Sequence, residues 1–196
     1  LGLHVGGKQL IDLAKDTLIE YFKEATDLPE LRTACEDLEH EVKDLRLAFG
    51  VELKRGDWKD ISNNPKILFA LNAVKEQLQR LSGQLKLASV KTKELELCYK
   101  RTEEISQQFR DILDDTSGQW IRWYETHRKS FTLSRTPLDI AKEFKAFMQQ
   151  HKATWIFTSA TLSVGNNFEH FANNLGLHNT DGKQWGSPFD FANHSL

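Results

Sequence analysis

Apolar residues recur at three- and four-residue spacing through most of the first 115 positions. Leu10, Leu13, Ala14, Thr17, Leu18, Tyr21 and Phe22 predict one helix with a single apolar face. Pro29, preceded by Asp27 or Leu28, suits the first position of a second helix. From there Leu31, Cys35, Leu38, Val42, Leu45 and Phe49 alternate four and three apart, a seam like that of a coiled coil, until Gly50 stops it. Residues 51–63 read as loop, with Gly56 and the run Ser62-Asn63-Asn64-Pro65 at its end. Asn64 caps the next start, with Pro65 at the first helical position. Beyond it Ile67, Leu71, Val74, Leu78, Leu81, Leu85, Ala88, Leu95, Tyr99, Thr102, Phe109 and Leu113 keep the same rhythm. A single helix of about 50 residues would run about 75 Å, far beyond the usual length. The pattern therefore predicts a helical hairpin reversing near Ser89–Thr92, with Thr92 capping the second arm. Gly83 is the competing break.

After Gly118 the period changes. "IRWYE" and "SFTLSR" alternate as two strands around the polar turn "THRK". Thr136-Pro137-Leu138-Asp139 has the form of a capping box opening a helix to about Gln149. "TWIFTSA", apolar on both faces, predicts a strand of a parallel α/β sheet. Phe168–Leu175 predicts a short helix ended by Gly176. The chain is thus expected to be mainly α, a block of antiparallel long helices over 1–117 joined to a partial α/β segment over 118–196.

Composition narrows the function. With 196 residues, 39% of them hydrophobic, the chain can bury one sizeable core or two small ones. A net charge of −2 gives no global basic signature for nucleic acid. No apolar run approaches the roughly 18–20 residues of a membrane span, and the start lacks the pattern of a signal peptide. Charge is uneven, though. Gln9–Phe49 holds five Lys/Arg against eleven Asp/Glu, and Gly50–Arg110 twelve against eight. Within the second segment Lys75, Arg80, Lys86, Lys91 and Lys93 stand among nineteen residues with one acid, Glu76. On one continuous helix Lys75, Lys86 and Lys93 share a face. Such a row is either a solvated face or a track for the phosphates of a single strand.

Other candidate chemistry is weaker. Cys35 and Cys98 fall on apolar helical faces and read as buried free thiols in a reducing cytoplasm, too few to build a metal site. Gly2-Leu3-His4-Val5-Gly6-Gly7-Lys8-Gln9 has the spacing of a phosphate loop through its lysine. Gln9 stands where a magnesium-binding Ser or Thr belongs, and no preceding strand is expected. His40 and His170 read as isolated surface histidines, and Asp114-Asp115 as the end of a helix. Thr158-Ser159-Ala160-Thr161 places hydroxyls at the expected carboxyl edge of a parallel sheet, where ligands gather; the same cluster equally suits a plain strand-to-loop turn.

"WIFTSATLS", then "F..F...LGL", then "SPFDF" resemble the region after the arch in XPD/DinG-like DNA helicases of superfamily two. Residues 118–149 resemble the bacterial YoaA branch of that family. The likeness is specific over residues 118–191, and over 8–115 only positional. It implies that 1–117 is a helical arch and 118–196 the end of a RecA-like first motor domain. By the same resemblance Thr158, Ser159, Ala160 and Thr161 couple ATP hydrolysis to unwinding, and the arch helps enclose a strand moved 5′ to 3′. Lys75, Arg80, Lys86, Lys91 and Lys93 are the candidate DNA contacts. The full-length protein would carry ATP, magnesium and a [4Fe–4S] cluster, none of them bound by this segment, and would work on single-stranded or forked DNA in the bacterial cytoplasm. A polymerase accessory subunit is an implied partner. The competing reading is a helical adaptor that offers the Leu31–Phe49 seam to a partner helix.

Overall fold

A computed structural model describes residues 2–114, 117–151, 153–159, 161–163, 165, 167–177 and 180–186, with only the backbone at position 143. The chain divides into two compact units, Gly2–Pro137 and a second beginning at Leu138.

In the first unit, the predicted helical faces become one core. Helices α1 (Gly7–Glu24), α2 (Pro29–Ala48), α4 (Pro65–Ala88) and α5 (Lys93–Leu113) pack as a ring in which α1 and α4 each touch both α2 and α5. Leu13 of α1, Leu38 of α2, Leu78 and Leu81 of α4 and Phe109 of α5 are at most 1% exposed. Each such side chain contributes on the order of 1.5–3 kcal/mol on burial. The start signals act as read: Pro29 and Pro65 open their helices, and Asn64 Oδ1 accepts from the Lys66 amide at 3.1 Å. The long periodic stretch is a hairpin. α4 ends at Ala88, and Thr92 Oγ1 caps α5 by accepting from the Leu95 amide at 3.2 Å. Gly83 lies inside α4 and breaks nothing.

A four-stranded antiparallel sheet completes this unit, in the order β1 (Leu3–Gly6), β4 (Phe131–Pro137), β3 (Trp120–Thr126), β2 (Arg55–Asp57). The "THRK" hairpin forms as expected. Tyr124 stacks on Phe49 at 5.2 Å on the core side, and Gly56 lies flat against it. A Cβ at position 56 would come within 2.5 Å of the Tyr124 ring. Arg122 and Arg135, on the same face, reach the last turn of α5. Arg122 donates to the Leu113 carbonyl at 2.9 Å and Arg135 to that of Asp111 at 2.7 Å. Cations there meet the negative end of the helix dipole, so the two arginines fasten the hairpin of helices to the sheet.

Several expectations are corrected here. Residues 51–63 are not all loop: β2 and the short helix α3 (Trp58–Ser62) occupy most of them. A strand does enter the glycine-rich N-terminal stretch, because Leu3–Gly6 finds β4 as a partner. The β3–β4 hairpin, for its part, is laddered to β1 and β2 within the unit Gly2–Pro137.

In the second unit the described elements are α6 (Ala141–Gln150) and α7 (Glu169–Leu175). The expected capping box at Thr136 does not form. Thr136 and Pro137 complete β4, and Asp139 instead accepts from the Ala141 amide at 2.8 Å, so the helix starts later. The strand expected over "TWIFTSA" is absent from the described residues 154–159, where Ile156 is 82% exposed. An extended segment becomes a strand only by pairing, and the four strands of the sheet all belong to the other unit. Aromatic packing holds the segment instead: Phe157 lies 5.9 Å from Phe144 and 5.6 Å from Phe171. Gly176 ends α7 as expected, at φ 65°, with the Leu177 amide reaching back to the Ala172 carbonyl at 2.8 Å.

Candidate nucleic-acid interface

The five candidate cations are not one row. Lys75, Arg80 and Lys86 lie on α4, Lys91 in the turn, and Lys93 at the first position of the reversed arm. Because the helix breaks after Ala88, Lys93 does not extend the face of Lys75 and Lys86. Three of the five meet carboxylates: Lys75 with Asp114 at 2.8 Å, Arg80 with Asp37 at 2.6 Å, and Lys91 with Asp27 at 2.6 Å. The Lys91 ammonium holds the Asp27 carboxyl below its ordinary range, helped by a backbone hydrogen bond. Lys86 and Lys93 are exposed and have no ion pair among the described residues.

In the second unit, the structure brings Ser159 and Thr161 together. Their hydroxyl oxygens are 3.1 Å apart, and the Thr161 amide donates to Ser159 Oγ at 3.1 Å. This is a serine-centred turn with both side chains exposed. Thr158 is exposed beside it, and Ala160 lies outside the described residues, as do Asp115 and the Ser187-Pro188-Phe189 stretch.

The phosphate-loop spacing is spent on structure. Leu3–Gly6 pairs with β4, the Lys8 amide donates to Ser130 Oγ at 3.0 Å, and the Gly6 amide donates to Gln9 Oε1 at 3.4 Å. Lys8 itself pairs with Asp12. Amides already bonded within the protein cannot cradle a phosphate, so these residues do not fit a nucleotide site. Nor do the cysteines fit an iron–sulphur cluster, which takes four thiolates. The chain has two cysteines, and burial, with smaller contributions from Cys98 and Glu36, pushes the Cys35 thiol up to about 12. Burial also raises Cys98, against the lowering effect of Thr17. The histidines make local contacts: His40 lies 3.4 Å from Asp44, and His170 3.2 Å from Asn174.

Periodicity did not reveal the pairing of tryptophans with arginines around the sheet. Arg55 lies 3.7 Å from the Trp123 ring centroid, Arg135 4.1 Å from Trp120, and Arg122 4.7 Å from Trp58. The alternation in "WIRWYE" places Trp120 and Arg122 on one face and Trp123 on the other. The signal was present for the strand, but the partners come from elsewhere in the chain.

The first unit is thus a four-helix bundle seated on a small antiparallel sheet and crossed by cations. Along its whole length the chain is similar to proteins named ATP-dependent DNA helicase YoaA. It is 35% identical to that of Haemophilus influenzae over 196 residues and 32% identical to that of Escherichia coli over 195. It spans 31% of each of these relatives' own length. Over 89 residues it is also 30% identical to a probable ATP-dependent helicase, YpvA, of Bacillus subtilis, covering 45% of this chain and 14% of that protein. The likeness to the YoaA branch therefore extends from end to end, and the chain matches a segment of YoaA-type helicases. No protein-family model matches it, and neither does any solved structure. Among the described residues, no helix is long and apolar enough to cross a membrane.

Proposed function

We propose that this chain is the arch-bearing part of an ATP-dependent DNA helicase. The bundle built on the α4–α5 hairpin helps enclose one translocating strand, moved 5′ to 3′. The turn at Thr158–Thr161 couples ATP turnover to that movement. The carrying observation is the similarity, from end to end, to proteins named ATP-dependent DNA helicases. In this reading ATP, its magnesium and any iron–sulphur cluster are held by other segments of a longer protein, since the residues present fit none of them. The seam that an adaptor would offer is occupied: Leu31, Cys35, Leu38, Val42 and Leu45 are at most 1% exposed within the chain's own core.

Coupling makes a separable prediction. In the longer enzyme, Ser159→Ala and Thr161→Ala are expected to lower unwinding several-fold more than DNA-stimulated ATP hydrolysis. Each hydroxyl makes at most an ordinary hydrogen bond in an exposed turn, so the stability cost stays at about 0.5–1.5 kcal/mol or below. Parallel unwinding and ATPase assays check this. Equal losses in both activities, or none, would reduce the cluster to a turn.

A further inference from the structure

The open face of the sheet carries an aromatic–guanidinium pair beside a group of cations without carboxylate partners. Strand alternation sends Tyr124 into the core and stands Trp123 on the opposite face with Ile121, which is 48% exposed. Across its two ladders Trp123 faces Ser134 on β4 and Asp57 on β2. Its diagonal neighbour on β2, Arg55, is exposed and holds its guanidinium 3.7 Å from the Trp123 ring centroid. Glu125 faces Arg55 in register but makes no ion pair with it.

The same end of the sheet closes with the turn His127-Arg128-Lys129. The Lys54 amide donates to Thr126 Oγ1 at 2.9 Å, and the Arg46 guanidinium donates to the His127 carbonyl at 2.7 Å. Arg46, Lys54, Arg55, Arg128 and Lys129 are thereby gathered from three stretches of chain, and none has an ion pair among the described residues. The carboxylates near them are Glu52 and Glu125. Asp60 also acts on Lys54, and Asp57, opposite Trp123, is engaged in accepting from the Lys59 amide at 2.8 Å. The contrast with the hairpin is direct: three of its five cations are already neutralised.

We propose that this sheet face binds single-stranded DNA, with a base stacked against the Trp123–Arg55 pair and phosphates following Arg128 and Lys129 around the turn, while the Lys54 ammonium stays on the core side, 5.9 Å from the Tyr124 ring centroid. Stacking on an aromatic ring accepts any base, and a guanidinium both stacks and pairs with phosphate. A duplex hides its base faces and is excluded from the stacking contact. That the strand is DNA rests on the helicase reading.

The test is fluorescence anisotropy of a labelled oligothymidylate with the full chain across a salt series. Base stacking is worth about 1–3 kcal/mol, so Trp123→Ala is expected to weaken binding about tenfold or more. Trp123→Phe, which keeps a ring, retains most of the affinity, and Arg55→Ala loses part of it without touching the core. The double variant Arg128→Ala/Lys129→Ala flattens the salt slope by about 1.4, at about 0.7 per lost contact. Circular dichroism verifies that each variant is folded. Three outcomes overturn the site: unchanged affinity in both Trp123→Ala and Arg55→Ala, equal affinity for duplex, or no binding of the oligonucleotide by the chain. None of these bears on the helicase reading, which stands or falls on unwinding by the longer protein.

Discussion

Cys35 shows how strongly one position can be defined by its surroundings. It lies on the seam of α2 with no exposed surface, and burial lifts its thiol from an ordinary 9.0 to about 12. The folded protein therefore keeps a proton that the unfolded chain gives up. Its contribution is fully present below pH 9 and is lost as the pH rises toward 12, because the unfolded state then binds fewer protons. Urea titrations at rising pH should show stability falling above pH 9, with the fall diminished in Cys35→Ala compared with its own value at neutral pH. In the native protein a thiol reagent should modify the half-buried Cys98 first and Cys35 only on unfolding. Rapid labelling of Cys35 under native conditions would contradict its placement in the core. Apolar spacing alone puts this residue inside, whereas the hydroxyl contact between Ser159 and Thr161 depends on a turn that no periodicity encodes.

Elements with many turns were legible, and short or partner-dependent ones were not. α2, α4 and α5 bury a stripe repeated five or more times, so period and caps agree over their length. β2 spans three residues and α3 five, too few for any period to register. The segment at 154–159 has the composition of a buried strand but no described strand to pair with, and composition cannot supply that partner. Thr136-Pro137 matches a helix start locally, yet ladder bonds to β3 claim it first. Periodicity alone allows the reversal between α4 and α5 at either Gly83 or Thr92, and the cap decides it. Thr92→Ala removes the hydroxyl that accepts from the Leu95 amide and should cost about 1 kcal/mol. Gly83→Ala should do the opposite. A Cβ there meets nothing within 4 Å, and the helix interior favours alanine, so a gain of about 0.4–1 kcal/mol is expected. Thermal melts of the two variants moving in the same direction would contradict the hairpin boundary.

Across the whole bundle, charge is used more for cross-linking helices than for display. Arg101 joins α5 to Asp16 of α1 at 2.6 Å, as Arg80 joins α4 to α2 and Lys75 joins α4 to the end of α5. Exposed pairs of this kind add little stability, but each removes a cation from the surface available to phosphate. The row read along the sequence therefore shrinks to Lys86 and Lys93, and Lys93 shares its first turn with Glu94 and Glu96. In the longer helicase, Lys86→Ala/Lys93→Ala is expected to flatten the salt slope of single-strand binding by at most about 1.4. Lys75→Ala, Arg80→Ala and Lys91→Ala should each leave it nearly unchanged, because their partners already compensate them. Loss of affinity in the double variant should also be alike for every sequence, since these cations touch backbone only. A slope that falls with Lys75→Ala or Arg80→Ala as much as with Lys86→Ala/Lys93→Ala would mean that DNA breaks the inter-helix pairs as it binds. A slope indifferent to Lys86 and Lys93 would turn this arm toward solvent and leave the strand to the sheet face.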